Sequence, residues 1–244
     1  WGALWLTAGS TNNIIDYATI KNATVGVLMD SNDGSNQPTL TINNSKIYNS
    51  SNIGLLARTG YVEANNLVIN KAGQSSLNIS LGGRYNFTNC TFANYWTQSY
   101  RPYPAVLVEN LLETPDQIIV ENLIEANFNN CIIYGNENRE LFFSRSDGAA
   151  FNYKFENCLI KFNDFDGSFA EEYPFEDENL YPGTIINEDP KFYEPYENKL
   201  FINEESPANG LANPATATHQ DILGTTRSNP PDSGAYESSP FPEE

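Results

Sequence analysis

The chain is poor in cations: 13 Lys and Arg stand against 31 Asp and Glu over 244 residues, a formal net charge of -18. Such a surface repels phosphates and anionic lipid and leaves no basic groove, so nucleic acid and anionic membranes are excluded as partners. Histidine occurs once, as His219 in the Pro- and Gly-rich tail, so neither a Ser/His/Asp site nor a His-based metal centre finds support in the rest of the chain. The three cysteines, Cys90, Cys131 and Cys158, show neither CxxC nor Cys/His zinc spacing. No apolar run approaches the ~18 residues of a membrane span, and no stretch reads as a signal peptide.

What the chain has instead is a repeat. Six segments share a pattern: Ile15 to Ile20, Ile42 to Ile47, Ala64 to Ile69, Phe87 to Phe92, Phe128 to Ile133 and Phe155 to Ile160. Their first positions lie 27, 22, 23, 41 and 27 residues apart, which is one solenoid turn per copy with one long excursion. The first, fourth and sixth positions are apolar or small. The third is Asn in Asn44, Asn66, Asn89, Asn130 and Asn157, and Tyr17 in the first copy. Asn tolerates the left-handed backbone of a sharp turn between flat sheets, and side chains stacked about 4.8 Å apart are expected to hydrogen-bond from rung to rung as a ladder.

A second strand follows each motif, in Gly26-Val-Leu-Met, Gly54-Leu-Leu-Ala, Ser76-Leu-Asn-Ile, Ala105-Val-Leu-Val and Glu140-Leu-Phe-Phe, and a third precedes it, as in Thr39-Leu-Thr-Ile and Arg84-Tyr-Asn-Phe. Their alternation has the period of half-buried strands. The expectation is an all-β, right-handed parallel β-helix with three strands per coil and about six coils over residues 1–162, followed by an acidic, Pro- and Gly-rich cap over residues 163–244. Propellers and leucine-rich repeats fit less well, since their signatures are missing. Because residue 1 lies in an apolar strand-like segment, Trp1 to Leu6, upstream coils or a cap are expected to precede it.

The cysteines share the fourth motif position and are expected to be stacked, buried, free thiols, because parallel side chains in register point the same way and rarely meet disulfide geometry. In the tail, Ser206-Pro207, Gly210, Pro214, Pro230-Pro231 and Gly234 suggest a wrap over the last coil, with Arg227 facing Asp232 and Tyr236 on the end of the core. Asp164-Phe-Asp166-Gly167 places two carboxylates before a Gly, the one hint of calcium, although Phe162 and Tyr173 stand where further ligands are needed.

Two groups of residues carry the functional reading. Asp30, Arg58, Ser80, Glu109 and Arg145 follow the second strand on successive coils and form either a ladder of surface ion pairs or a catalytic row. The excursion from Ala93 to Pro104 holds Tyr95, Trp96, Tyr100, Arg101 and Tyr103. Its rings suit sugar faces and Arg101 suits a sugar carboxylate, unless the loop folds its rings onto the solenoid flank. The insert from Asn110 to Glu125 is expected to cover the same side.

Gly9 to Ala23 followed by Gly26-Val27 resembles the coils of bacterial right-handed β-helix proteins. The residues Asp189-Pro190-Lys-Phe192, Asn198-Lys-Leu200, Ser206-Pro207-Ala208, Asp221, Gly224, Arg227, Pro231-Asp232 and Gly234-Ala-Tyr-Glu237 resemble their choice-of-anchor Q type C-terminal region. That resemblance implies an exported bacterial protein, often a lipoprotein at the cell surface, and no single activity. Two functions follow: a non-catalytic surface β-helix that binds or is displayed toward glycans, and a polysaccharide lyase or glycoside hydrolase for an acidic polysaccharide. The single histidine, His219, lies in the tail outside the coils, which argues against the Gly-His-Gly element of polygalacturonases, so the enzyme would work through Asp30, Arg58, Glu109 and Arg145.

Overall fold

The computed structural model describes residues 1–31, 34 and 36–242. Three parallel faces run along a β-helix, the first two joined through the long strands Ile53–Asn65 and Leu77–Thr88 into one ten-stranded sheet and the third forming a seven-stranded sheet. The first stacks Ala3–Leu6, Val25–Met29, the start of Ile53–Asn65, the start of Leu77–Thr88, Val106–Glu109 and Leu141–Ser144. The second stacks Asn13–Asp16, Leu40–Asn43, the ends of the same two long strands, Leu123–Asn129 and Lys154–Glu156. The third runs from Thr19–Lys21 through Lys46–Ser50, Val68–Ala72, Thr91–Asn94, Ile132–Gly135 and Leu159–Ile160 to Ile185–Ile186. That last strand belongs to the stack although it lies beyond residue 162, within the segment expected to be only a cap.

The repeat dictates this geometry. Tyr17, Asn44, Asn66, Asn89, Asn130 and Asn157 all have left-handed backbone, with φ from 46° to 55°. Each turns the chain from the second face into the third. One residue later the side chain points inward, and Ala18, Ser45, Leu67, Cys90, Cys131 and Cys158 form a stack in which all three thiols are free and buried. Burial, with Cys158 and Cys90 as neighbours, pushes the Cys131 thiol well above its ordinary pKa, so it is held as a neutral small hydrophobe.

The first motif position builds the core. From Phe87 onward it is aromatic, and the rings stack in file: Phe87 on Phe128 at 5.0 Å, Phe128 on Phe155 at 4.6 Å and Phe155 on Tyr181 at 5.6 Å between centroids. Tyr181 comes from the segment after the last full coil, where Phe169, Tyr173 and Phe175 pack with Phe162 over the end of the solenoid. Apolar surface at that end is covered by rings, as a terminal cap requires.

The rest of the tail does something else. Phe192, Leu200, Ile202, Ala208, Ile222, Ala235 and Tyr236 form a second apolar cluster against the outside of the third face, with Val68, Ala93, Tyr95, Ile132 and Leu159. Tyr236 therefore packs on the flank of the solenoid and not on the end of its core. Residues 211–220 run back along the asparagine column as a strap. The Asn157 amide donates to the Leu211 carbonyl (2.9 Å), Asn213 N–H donates to Asn130 Oδ1 (2.8 Å), Thr218 N–H donates to Asn89 Oδ1 (2.9 Å) and Asn66 donates to the Gln220 carbonyl (2.9 Å).

Of the expected rung-to-rung bonds within the column, only Asn66 to Asn44 forms, at 3.0 Å. The reason is competition: the returning tail takes amide groups of Asn66, Asn89, Asn130 and Asn157, and at Asn89 and Asn130 its backbone meets both ends of the amide. Arg227 pins the returning chain. It pairs with Glu237 (3.2 Å) and donates to Asn66 Oδ1 and the Gly234 carbonyl, whereas the Asp232 carboxylate accepts from Gly210 and Ser238 N–H groups. Arg227 thus meets Asp232 only through that residue's carbonyl.

Phe128 sits mid-file with no exposure and a ring on either side, so Phe128→Ala leaves a cavity that flat sheets cannot close. Chemical denaturation is expected to show a loss of about 3–5 kcal/mol; a loss below about 1 kcal/mol would show that the rings are not tightly packed.

Candidate functional site

The 41-residue spacing between Phe87 and Phe128 comes from two insertions on one coil. One is the aromatic excursion; the other is an antiparallel hairpin pairing Leu111–Glu113 with Ile118–Val120. The excursion is anchored from inside. Arg101 is 3% exposed, and its guanidinium forms a paired bond to Glu140, at 2.7 and 3.0 Å, while also donating to the carbonyls of Asn94 and Tyr103. Glu140 accepts further N–H groups from Ala105 (2.7 Å) and Glu137 (2.8 Å).

Glu140 occupies the position that Gly26, Gly54, Ser76 and Ala105 hold on earlier coils, a column of small buried residues. Burial raises its carboxyl pKa, opposed by Arg101 and the amide donors. Breaking such a pair strands a charge in the interior. Arg101 is therefore unavailable to a sugar carboxylate: the carboxylate it holds is the chain's own.

The rings of the excursion diverge. Tyr95 is buried against Phe192 and Tyr196. Trp96 is half-buried, bonds Ser99 Oγ through its indole N–H at 2.9 Å and faces a cleft with Trp1, Asn49 and Lys71. Tyr103 is partly exposed, and Tyr100 is 85% exposed.

Tyr100 borders a groove of about 340 Å³ on the other side, lined by Pro102, Pro104, Phe142, Phe165 and Arg139 together with Glu137, Asn138 and Asn163. Phe165 is 82% exposed. Arg139 stacks over Phe169 at 4.1 Å and enters none of the ion pairs among the described residues. Exposed rings around an unpaired guanidinium give apolar faces and hydrogen-bond donors together, which is what a flat polyhydroxyl ligand needs. Arg139 and Phe165 lie on other coils and escape sequence reading. Phe142 left no trace either, since its outward register position is filled by Leu28, Leu56 and Leu107 on other coils.

The charged row is partly assembled. Register places Asp30 beside Arg58, Arg58 opposite Ser80, and Glu109 opposite Ser144, so Ser144 takes the place expected for Arg145, which is exposed one residue further on. Arg58 pairs with Asp30 at 3.3 Å, and Trp5 Nε1 donates to the other Asp30 oxygen at 2.6 Å. Glu109 forms no ion pair among the described residues; burial first, then the neighbouring Glu113, push its carboxyl up to about 7.

Asp164 accepts the Phe169 N–H and Asp166 the Ser168 N–H, so both carboxylates close turns, and the second Asp164 oxygen is buried without a partner. Among the described residues no three His, Cys, Asp or Glu side chains converge on one point, and no helix is long and apolar enough to cross a membrane.

Compared with protein families, residues 25–173 match the family described as right handed beta helix region, more than half of the chain. Compared with curated proteins, the chain finds no match.

The Glu109 carboxyl gives a pH signature. Its pKa rises from 4.5 to about 7 on folding, so the stability it contributes is complete below pH 4.5 and is lost as pH climbs through about 7. Glu109→Gln is expected to match the native protein in melting temperature at pH 4 and exceed it at pH 8; a variant that melts lower at pH 8 would contradict the assignment.

Proposed function

The chain belongs to the right-handed β-helix family, and from that premise we propose that it is a non-catalytic protein that binds an uncharged glycan in the groove of Tyr100, Arg139, Phe142 and Phe165. The observation that carries this reading is the exposure of Tyr100 and Phe165 around a guanidinium without a carboxylate partner. Large rings left in water at one groove cost hydrophobic free energy that packing elsewhere recovers, and a sugar face is a flat apolar surface that restores it on binding. A net charge of -18 disfavours polyanions, so the glycan is neutral. The resemblance of the tail to choice-of-anchor Q regions supports placing the protein at the surface of a bacterial cell, after export and with a lipid or other anchor.

A second reading, hydrolysis or elimination on a polysaccharide, draws on one observation, the Glu109 carboxyl held near neutrality beside Glu113. A carboxyl with that pKa can donate a proton at neutral pH. The divergence of Arg145 from the row and the Asp30 to Arg58 pairing leave it without an evident partner, and the binding reading is preferred.

Affinity electrophoresis and calorimetry against neutral glucans, mannans, xylans and galactans test both. Tyr100→Ala, Phe165→Ala and Arg139→Ala are each expected to weaken binding by about 1 kcal/mol or more with the melting temperature nearly unchanged, while Trp96→Ala, facing another cleft, leaves affinity alone. Absence of binding to every polymer, or affinity indifferent to all three substitutions, overturns the proposal; release of reducing or unsaturated ends would favour the second reading.

A further inference from the structure

The strap shows what the asparagine column recognises. Residues 211–220 carry no Asp, Glu, Lys or Arg, and they are held at the column largely through backbone groups. At Asn130 one side-chain amide accepts from the Asn213 N–H (2.8 Å) and donates to the Asn213 carbonyl (3.4 Å), the two-way pairing that a strand gives its neighbour. Asn89 and Asn66 repeat parts of it with Thr218 N–H and the Gln220 carbonyl.

At Gln220 the strap leaves the column. The Asp221 carboxylate accepts the N–H groups of Leu223 (2.9 Å) and Thr225 (2.8 Å), bending the chain away. The column itself continues to Asn44, whose amide donates to Asp16 Oδ1 (3.1 Å) and accepts from Asn66 Nδ2 (3.0 Å). In line with the strap, an open cleft of about 390 Å³ is lined by Asn43, Asn44, Asn65, Asn66, Gln220 and Tyr17, among others. Asn43 and Asn65 are register partners on the second face, joined by one bond of 2.9 Å from Asn65 Nδ2 to Asn43 Oδ1. That leaves Asn43 Nδ2 as a donor and Asn65 Oδ1 as an acceptor, neither with a partner among the described residues.

We propose that this cleft binds an extended peptide segment of another protein, which continues the path of the strap beyond Gln220 and exchanges backbone hydrogen bonds with the free amide groups of Asn43 and Asn65. Three observations carry the inference: the cleft is continuous with the strap interface, its free amides offer the donor and acceptor that the covered rungs use, and the strap has no charged side chains, so recognition is of backbone. The inference is independent of the glycan groove, which lies on a different face and shares no residue with the cleft.

The probe is a fluorescein-labelled synthetic peptide with the sequence of residues 211–220, titrated into the full chain by anisotropy. Saturable binding is expected, weakened about fivefold or more by Asn43→Ala and by Asn65→Ala, and abolished when alternate backbone nitrogens of the peptide are methylated. Both asparagines lie outside the left-handed column, so a melting temperature equal to the native one separates lost recognition from lost fold. No saturable binding at millimolar peptide overturns the inference, as does affinity unchanged in both variants or by methylation. Displacement of the peptide by a neutral oligosaccharide, with no effect of the Tyr100→Ala substitution, would assign the cleft to sugars instead and equally overturn it.

Discussion

One backbone conformation governs this molecule: the left-handed residue that closes each strand of the second face, held at φ between 46° and 55° in all six copies. That conformation turns the chain sharply enough to stack flat sheets around a narrow core, and it strains most residues by about 1 kcal/mol or more but Asn less. Filling the position with Asn has a second consequence. The amide projects to the outside of the corner, where it serves as a donor and acceptor in register with the coils. The tail uses that row as a docking rail, and the packing of Phe192, Leu200 and Tyr236 on the third face follows from where the rail holds it.

Much of this was legible in the sequence. The six motifs, their spacing and the alternation around them specify coils, register and the shared column of Cys90, Cys131 and Cys158, because a solenoid repeats local rules and each coil contacts only its neighbours. What the repeat does not encode is the fate of segments that contact distant coils. Asn89 and Asn130 look identical to Asn44 in sequence, yet two are read by a backbone more than eighty residues away and the third by a neighbour.

The same limit applies to the site. Arg101 has the chemistry for gripping a carboxylate, and it does grip one, but Glu140 lies 39 residues on and no local pattern joins them. Once Arg101 is drawn inward, the excursion presents Tyr100 to one side and Trp96 to the other, and the guanidinium facing the exposed rings becomes Arg139. Insertions around a rigid solenoid thus supply a groove without disturbing the core. Arg145 shows the converse error: the step of four residues that separates Gly26 from Asp30 and Ala105 from Glu109 leads from Glu140 to Ser144, as the hydrogen-bond register does, and Arg145 lies one residue beyond.

The left-handed asparagines hold the C-terminal strap through their side-chain amides, apart from their role in turning the chain. Asn130→Gly separates the two roles, since glycine accepts the same φ and lacks the amide. Amide hydrogen exchange at Asn213, whose N–H donates to Asn130 Oδ1 at 2.8 Å, is the direct readout. Exchange at Asn213 is expected to be faster by about tenfold or more in the variant, as loss of roughly 1.4 kcal/mol requires, with protection of Cys131 and Ile132 in the adjoining strand retained. Unchanged protection at Asn213 would contradict the hold of these amides on the strap.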